Sequence, residues 1–175
     1  SLGIPSADDK LVQEVIRMIL ESIYEPVFLS SSHGFRPDRS CHTALGRVQH
    51  MFTGVKWFVE GDIVGCFDNI DQHVLVQLLR KKIQDEHFIA LIWKFLRAGY
   101  MDKWKFNATY SGAAQGSIIS PMLANIYMHE LDKFMDTYKT SYDQGKCRGV
   151  NPLYGRANYR LQQEKAALKN NWETL

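Results

Sequence analysis

Val55-Lys56-Trp57-Phe58-Val59-Glu60-Gly61-Asp62, followed by Ile63-Val64-Gly65-Cys66-Phe67-Asp68-Asn69-Ile70-Asp71, is the stretch on which the fold turns. Residues 55–62 are rich in β-branched and aromatic side chains, the composition of a strand, and the run ends on a carboxylate. A glycine-containing turn follows. An aspartate at the end of a strand presents a hard oxygen to a divalent cation, and the carbonyl of the next residue, Ile63, can add a second oxygen. Phosphoryl-transfer enzymes hold two such ions about 3.5–4 Å apart, which takes two or three carboxylates. By itself the stretch also fits a plainer description, in which Asp62 caps a turn and Asp68 or Asp71 caps a helix.

Outward from this stretch the spacing of apolar residues predicts mostly helix. Residues 7–25 carry Leu11, Val12, Val15, Ile16, Ile19, Leu20 and Ile23 at helical intervals. Ser6 with Asp9 suits the cap at its start, and Pro26 its end. A turn-rich loop, 30–40, precedes a helix over Cys41–Met51. Another helix begins at Asp71, with Val74, Leu75, Leu78 and Leu79 on one face. A further one contains Ile89–Leu96 and closes at Gly99. Trp104, Phe106 and Ala108 alternate with Lys103, Lys105 and Asn107, the pattern of a half-buried strand. A small-residue loop, 111–117, leads to Pro121, which suits the first turn of a helix running to about Tyr138. Residues 157–170 read as a polar, weakly amphipathic helix. Helices with one or two strand pairs in mixed order predict an α+β fold.

Composition narrows the classes. With 45% hydrophobic and 23% charged residues over 175 positions, the chain is an ordinary globular one, which excludes disorder and collagen-like repeats. No apolar run approaches the ~20 residues of a membrane span, and the polar Ser6-Ala7-Asp8-Asp9-Lys10 start offers no secretory signal. Three widely spaced cysteines, Cys41, Cys66 and Cys147, form no C-x-x-C pair, so neither a zinc knuckle nor a disulfide scaffold is expected. The net charge of +2 does not by itself point to nucleic acid. Charge is uneven, however: Lys139, Lys146, Arg148, Arg156, Arg160, Lys165 and Lys169 are opposed before residue 170 only by Asp143 and Glu164. Such a basic stretch suits a polyanion through counterion release, or a solvated linker helix.

Two more constellations bear on chemistry. In Gln115-Gly116-Ser117-Ile118-Ile119-Ser120-Pro121-Met122-Leu123-Ala124-Asn125, glycine permits close backbone approach to a ligand, and Gln115 offers donor and acceptor there. It is equally a simple loop-to-helix junction. In His33-Gly34-Phe35-Arg36-Pro37-Asp38-Arg39-Ser40, Arg36 and Arg39 sit on a stiff Gly/Pro loop where they can hold phosphates, or stand as two solvated arginines.

In order along the chain, with Leu2-Gly3-Ile4-Pro5 ahead of them, these motifs resemble the fingers and palm of a reverse transcriptase. Within that superfamily they are most similar to the reverse transcriptase/maturase proteins encoded by bacterial group II introns. Leu2–Pro5 matches the first conserved block, His33–Ser40 the second, Val59–Asp68 palm motif A and Gln115–Asn125 motif B. The resemblance implies a right-hand fold: fingers over residues 1–54, palm motif A through motif B over 55–138, and a basic insertion or C-terminal segment over 139–175. It implies RNA-directed DNA synthesis with two metal ions (Mg2+, with Mn2+ as an alternative) and assistance to intron splicing. Asp62 becomes the catalytic metal-binding aspartate, with the Ile63 carbonyl as a further ligand. Phe67, Gln115, Gly116 and Ile4 line the nucleotide site. Arg36 and Arg39 meet the template, while Lys146, Arg148, Arg156 and Arg160 meet RNA. A bulky Phe67 ring would clash with a ribose 2′-OH and favour deoxynucleotides.

The implied partners are RNA template, intron RNA, DNA primer and dNTP, with self-association through exposed surfaces, in a cytoplasmic, nucleoid- or RNP-associated setting. The family's aromatic-x-Asp-Asp hairpin has no counterpart here. The one Asp-Asp, Asp8-Asp9, belongs to a helix start. The expectation is therefore a piece of a longer enzyme, inactive alone because one carboxylate cannot hold two ions. An RNA-binding splicing scaffold without polymerase activity, or a retron or diversity-generating reverse transcriptase, are the alternative readings of the same motifs.

Overall fold

The computed structural model describes residues 5–55, 57–109, 111–112, 116–143 and 151–172, with the side chains of Asp102 and of 168–172 excepted. In order come α1 (Ala7–Tyr24), a 3₁₀ turn (Glu25–Val27), α2 (Cys41–Met51), α3 (Gln72–Arg80), α4 (Glu86–Leu96), β1 (Tyr100–Asp102), β2 (Lys105–Asn107), α5 (Ser120–Tyr142) and α6 (Pro152–Trp172). The chain divides into two compact units, 1–137 and 138–175.

Side-chain caps set the helix starts in the first unit. The Ser6 hydroxyl accepts the Asp9 N–H (3.2 Å) and donates to the Asp9 carboxylate (2.7 Å). Ser40 and Thr43 form a reciprocal capping box. Asp71 accepts from the N–H groups of His73 and Val74, and Asp85 from those of His87 and Phe88. Each cap is worth about 1 kcal/mol. Between them, Ile16 and Leu20 of α1, Leu75 and Leu79 of α3, Ile89 and Ile92 of α4, and Ile119 and Leu123 before and within α5 close one apolar core. Burying each such side chain contributes about 1.5–3 kcal/mol.

Several expectations are corrected. Residues 57–63 are exposed and carry no regular secondary structure, so the expected 55–62 strand is not one (Lys56 lies outside the described residues). A strand is made by its neighbour's hydrogen bonds, and the sheet found among the described residues is the β1–β2 hairpin alone. In α1 the apolar run splits. Ile16 and Leu20 face the core, whereas Leu11 and Val15 are 70% and 57% exposed. In α3, Val76 takes the core position expected of Val74. Helix α5 continues to Tyr142, four residues past its expected end, and α6 begins at Pro152 rather than near 157.

The expected strand over 103–108 is instead a hairpin: Tyr100, Met101 and Asp102 pair antiparallel with Asn107, Phe106 and Lys105. Its two-residue turn places Lys103 and Trp104 at φ +47° and +62°. This is the left-handed pair that hairpin turns require, normally supplied by Asn-Gly. Gly99 (φ +70°) lets the end of β2 close over the residue before β1, since a Cβ there would lie 2.5 Å from the Asn107 carbonyl oxygen.

The second unit holds the end of α5 and the polar α6. Within it Lys139 pairs with Asp143, and Gln163 donates to the Tyr159 hydroxyl at 2.6 Å. No described helix is long and apolar enough to cross a membrane.

Left-handed backbone costs a residue with a Cβ about 1–2 kcal/mol, and Trp104 is 96% exposed. The K103N/W104G variant should therefore relieve strain without emptying a core. A rise in Tm of about 2–4 °C is expected by calorimetry, and an unchanged or lowered Tm would show that the turn is not strained.

Candidate functional site

Asp62 is exposed, with its carboxylate accepting the Ile63 N–H at 2.9 Å. The chain then turns tightly. The Gly65 carbonyl accepts from the N–H groups of Asp68 and Asn69, and the Asn69 side-chain amide donates back to the Val64 carbonyl, each at 3.0 Å. Phe67 is half-buried and packs against the core, which fixes the turn that carries it.

A second segment is fastened under this turn. Gly112 N–H donates to the Ile70 carbonyl (2.8 Å), and the Ser111 hydroxyl donates to the Asp68 carbonyl (3.1 Å). The buried Gln72 side-chain amide donates to the carbonyls of Gly112 and Leu96, both at 3.0 Å. Gly112 has φ +82°, and a Cβ on it would lie 2.6 Å from the Phe67 carbonyl oxygen. Any side chain there drives the two segments apart. From the other side, the carboxamide oxygen of buried Gln13 on α1 accepts from the Ser117 hydroxyl and the Ile118 N–H. The turn after Asp62 and the start of the loop leading to α5 are thus brought together. Gly116 is exposed at φ +98°, and Gln115 lies outside the described residues.

The 30–40 loop has a different centre from the one expected. Arg36 is buried. Its guanidinium donates to both oxygens of Glu25 and to the carbonyls of Leu29 and Ser32, at 2.7–3.1 Å, and stacks 5.2 Å from the centre of the Phe28 ring. A guanidinium so engaged organises the loop. The cause is geometric: Glu25 sits just past α1, within reach of a planar fork that binds carboxylates bidentately. Arg39 is half-buried, and it and Arg47 both donate to the Ser30 carbonyl at 3.2 Å. The loop is tied to α5 by Asn125, which donates to the Gly34 carbonyl at 2.8 Å, and by an edge-on contact of Phe28 with His129 at 5.5 Å. Desolvation, then the charges of Arg39, Arg47 and Arg36, hold His33 below the usual imidazole range. Phe35, 77% exposed, and Asp38 adopt positive φ of 50° and 55°.

Ile4, Lys146 and Arg148 lie outside the described residues. Arg156 and Arg160 are exposed one turn apart on α6. Among the described residues no group of three or more His, Cys, Asp or Glu is arranged to hold a metal. Asp62 and the neighbouring carbonyls do not by themselves make a protein cage for a divalent ion, and a Mg2+ held by so few protein oxygens keeps several waters or takes phosphate oxygens as its other ligands. Gln72, Gly112 and Gln13 were not singled out from the sequence. A signal existed for two of them: each glutamine occupies a core-facing position in an otherwise apolar helix phase, where a polar group must find partners.

A family model described as "Reverse transcriptase (RNA-dependent DNA polymerase)" matches residues 1–148. The chain is 53% identical over 168 residues to the "Group II intron-encoded protein LtrA" of Lactococcus lactis subsp. cremoris, covering 96% of the chain and 28% of that protein. It is 51% identical over 142 residues to the "Uncharacterized 91 kDa protein in cob intron" of Schizosaccharomyces pombe, covering 81% of the chain and 18% of that protein. It is also 40% identical over 165 residues to the "Putative COX1/OXI3 intron 1 protein" of Saccharomyces cerevisiae, covering 94% and 20%. The chain thus spans less than a third of each of these relatives.

Two substitutions probe the framework. Gln72→Leu keeps the apolar bulk but strands two carbonyls, at about 1–3 kcal/mol for each left unpaired. A matching fall in the urea midpoint with an unchanged slope is expected. Glu25→Gln removes the countercharge of Arg36 and should destabilise by about 1.5–3 kcal/mol, the range for hydrogen bonds to charged groups. A denaturation curve indistinguishable from the parent would contradict the clasp.

Proposed function

This chain belongs to the reverse transcriptase (RNA-dependent DNA polymerase) family, and we propose that the protein containing it copies RNA into DNA and assists the splicing of a group II intron. The observation that carries this reading is the joining of the Asp62–Asp68 turn to the 111–112 loop by Gln72, Ser111 and Gly112. The first carries Phe67 and the second leads directly into Gln115–Asn125, and those are the motifs from which the family's nucleotide site is expected to be built. In this reading residues 1–54 belong to the fingers, 55–138 to the palm and its fingers connections, and 139–175 to a basic RNA-contacting segment.

Asp62 is the catalytic carboxylate, contributing with the Ile63 carbonyl to a divalent-ion site for Mg2+. The other carboxylates come from residues outside those described. Phe67 lies beneath the sugar of the incoming dNTP and disfavours a 2′-OH by shape, a discrimination of limited size for one hydroxyl. Gln115, Gly116 and Ile4 complete the nucleotide surface. Arg39 meets the template, held in place by the loop that Arg36 organises. Lys146, Arg148, Arg156 and Arg160 contact intron RNA, the DNA primer pairs with the template across the palm, and exposed apolar surfaces support self-association.

The test is Asp62→Asn in a full-length reverse transcriptase carrying this chain. Asp62 is exposed and its hydrogen bond is local, so melting and RNA binding should not change. Primer extension should fall by at least about 100-fold, because even outer-shell partners of metal sites matter on that scale. Retained extension would overturn the assignment.

A further inference from the structure

The β1–β2 hairpin has no role in the site above, yet it carries unusual features. Trp104 at its tip is 96% exposed, the most of any large apolar side chain described, with Val59 next at 92%. It is held there by left-handed backbone at two consecutive residues with side chains, Lys103 and Trp104. Strain of this kind persists where the surrounding structure enforces it and clusters at ligand-binding sites. The tip reads Lys103-Trp104-Lys105, and residues 94–105 contain four bases, Lys94, Arg97, Lys103 and Lys105, against one acid, Asp102. Both tip lysines are exposed, and neither has a carboxylate partner among the described residues. At the hairpin's base, Tyr100, Met101, Phe106 and Lys94 line a cleft of about 590 Å³.

An aromatic face between cations selects for a ligand that is both anionic and planar. Single-stranded nucleic acid is that ligand: successive bases offer faces for stacking, and the flanking phosphates take the lysines. A duplex hides its base faces, and an acidic peptide offers no ring to stack. From these features we infer that the hairpin tip binds single-stranded RNA, Trp104 stacking on one unpaired base while Lys103 and Lys105 contact the adjoining phosphates. The inference rests on the RNA partnership proposed above and assigns part of it to a surface outside the conserved motifs.

The test measures binding of the 175-residue chain to a fluorescently labelled 12-nucleotide oligo(A) RNA by anisotropy, across a salt series. W104A should weaken binding about tenfold, within the range for one stacked base, and W104F should stay within about threefold of the parent. K103Q/K105Q should lower the slope of log affinity against log salt by about 1.4, from two phosphate contacts on a single strand. W104G suits the left-handed backbone at this position, so a weakening equal to that of W104A, with an unchanged melting curve, assigns the loss to the ring rather than to misfolding. Binding to an RNA duplex of the same length should not respond to W104A. If the parent binds and W104A stays within twofold of it, or W104F binds as weakly as W104A, the hairpin inference is overturned while the RNA reading stands. If the parent does not bind RNA at all, both fail.

Discussion

The first unit depends on how one buried amide is satisfied. The Gln72 side chain holds the carbonyl at the end of α4 and that of Gly112 at once, while the Gly112 N–H closes onto Ile70 just before α3. Three segments far apart in sequence meet there without a sheet to align them. A buried polar network of this sort is effective only when complete, because each carbonyl left dry and unpaired carries its full desolvation penalty. The absence of a side chain at Gly112 is part of the same arrangement, since a Cβ would occupy the space of the Phe67 carbonyl.

A parallel constraint governs the 30–40 loop. It has no regular secondary structure of its own, so its carbonyls must find donors elsewhere. Arg36 supplies donors for Leu29 and Ser32, and Arg39 and Arg47 converge on Ser30. The buried positive charge is matched by Glu25 at the end of α1. Asn125 then ties the loop to α5, so the segments resembling the second and fourth blocks of a reverse transcriptase are mechanically one piece.

What was legible in the sequence was local. Ser6 with Asp9, and Asp71 ahead of an apolar run, supply acceptors for the orphan N–H groups of a helix start, Pro121 brings no N–H to be satisfied there, and those helices stand where the residues indicated. What was not legible depends on distant partners. Residues 57–63 have strand composition, but a strand exists only when another chain segment accepts and donates along it. The apolar residues of α1 fill both sides of the helix, and periodicity cannot say which side meets the core. Arg36 reads as a surface cation until the fold brings Glu25 beneath it. The family motifs were legible because they are patterns of identity, whereas the bridging by Gln72 and Gln13 follows only from packing.

The positions with positive φ separate two uses of strained backbone. Gly99 and Gly112 stand where another backbone or ring approaches so closely that no side chain fits, and there glycine is required by space. Phe35, Asp38, Lys103 and Trp104 adopt the same left-handed region with side chains that face outward. Glycine would relieve each of them, and space does not forbid it. Their side chains are retained against that preference, and the two aromatic ones are 77% and 96% exposed, so burial gives no compensation. The compensation in the structure is the hydrogen bonding that closes each turn, the Arg39 N–H on the Arg36 carbonyl in one and the β1–β2 pairing in the other. Space therefore accounts for the two glycines, whereas turn closure accounts for the four strained residues that carry side chains.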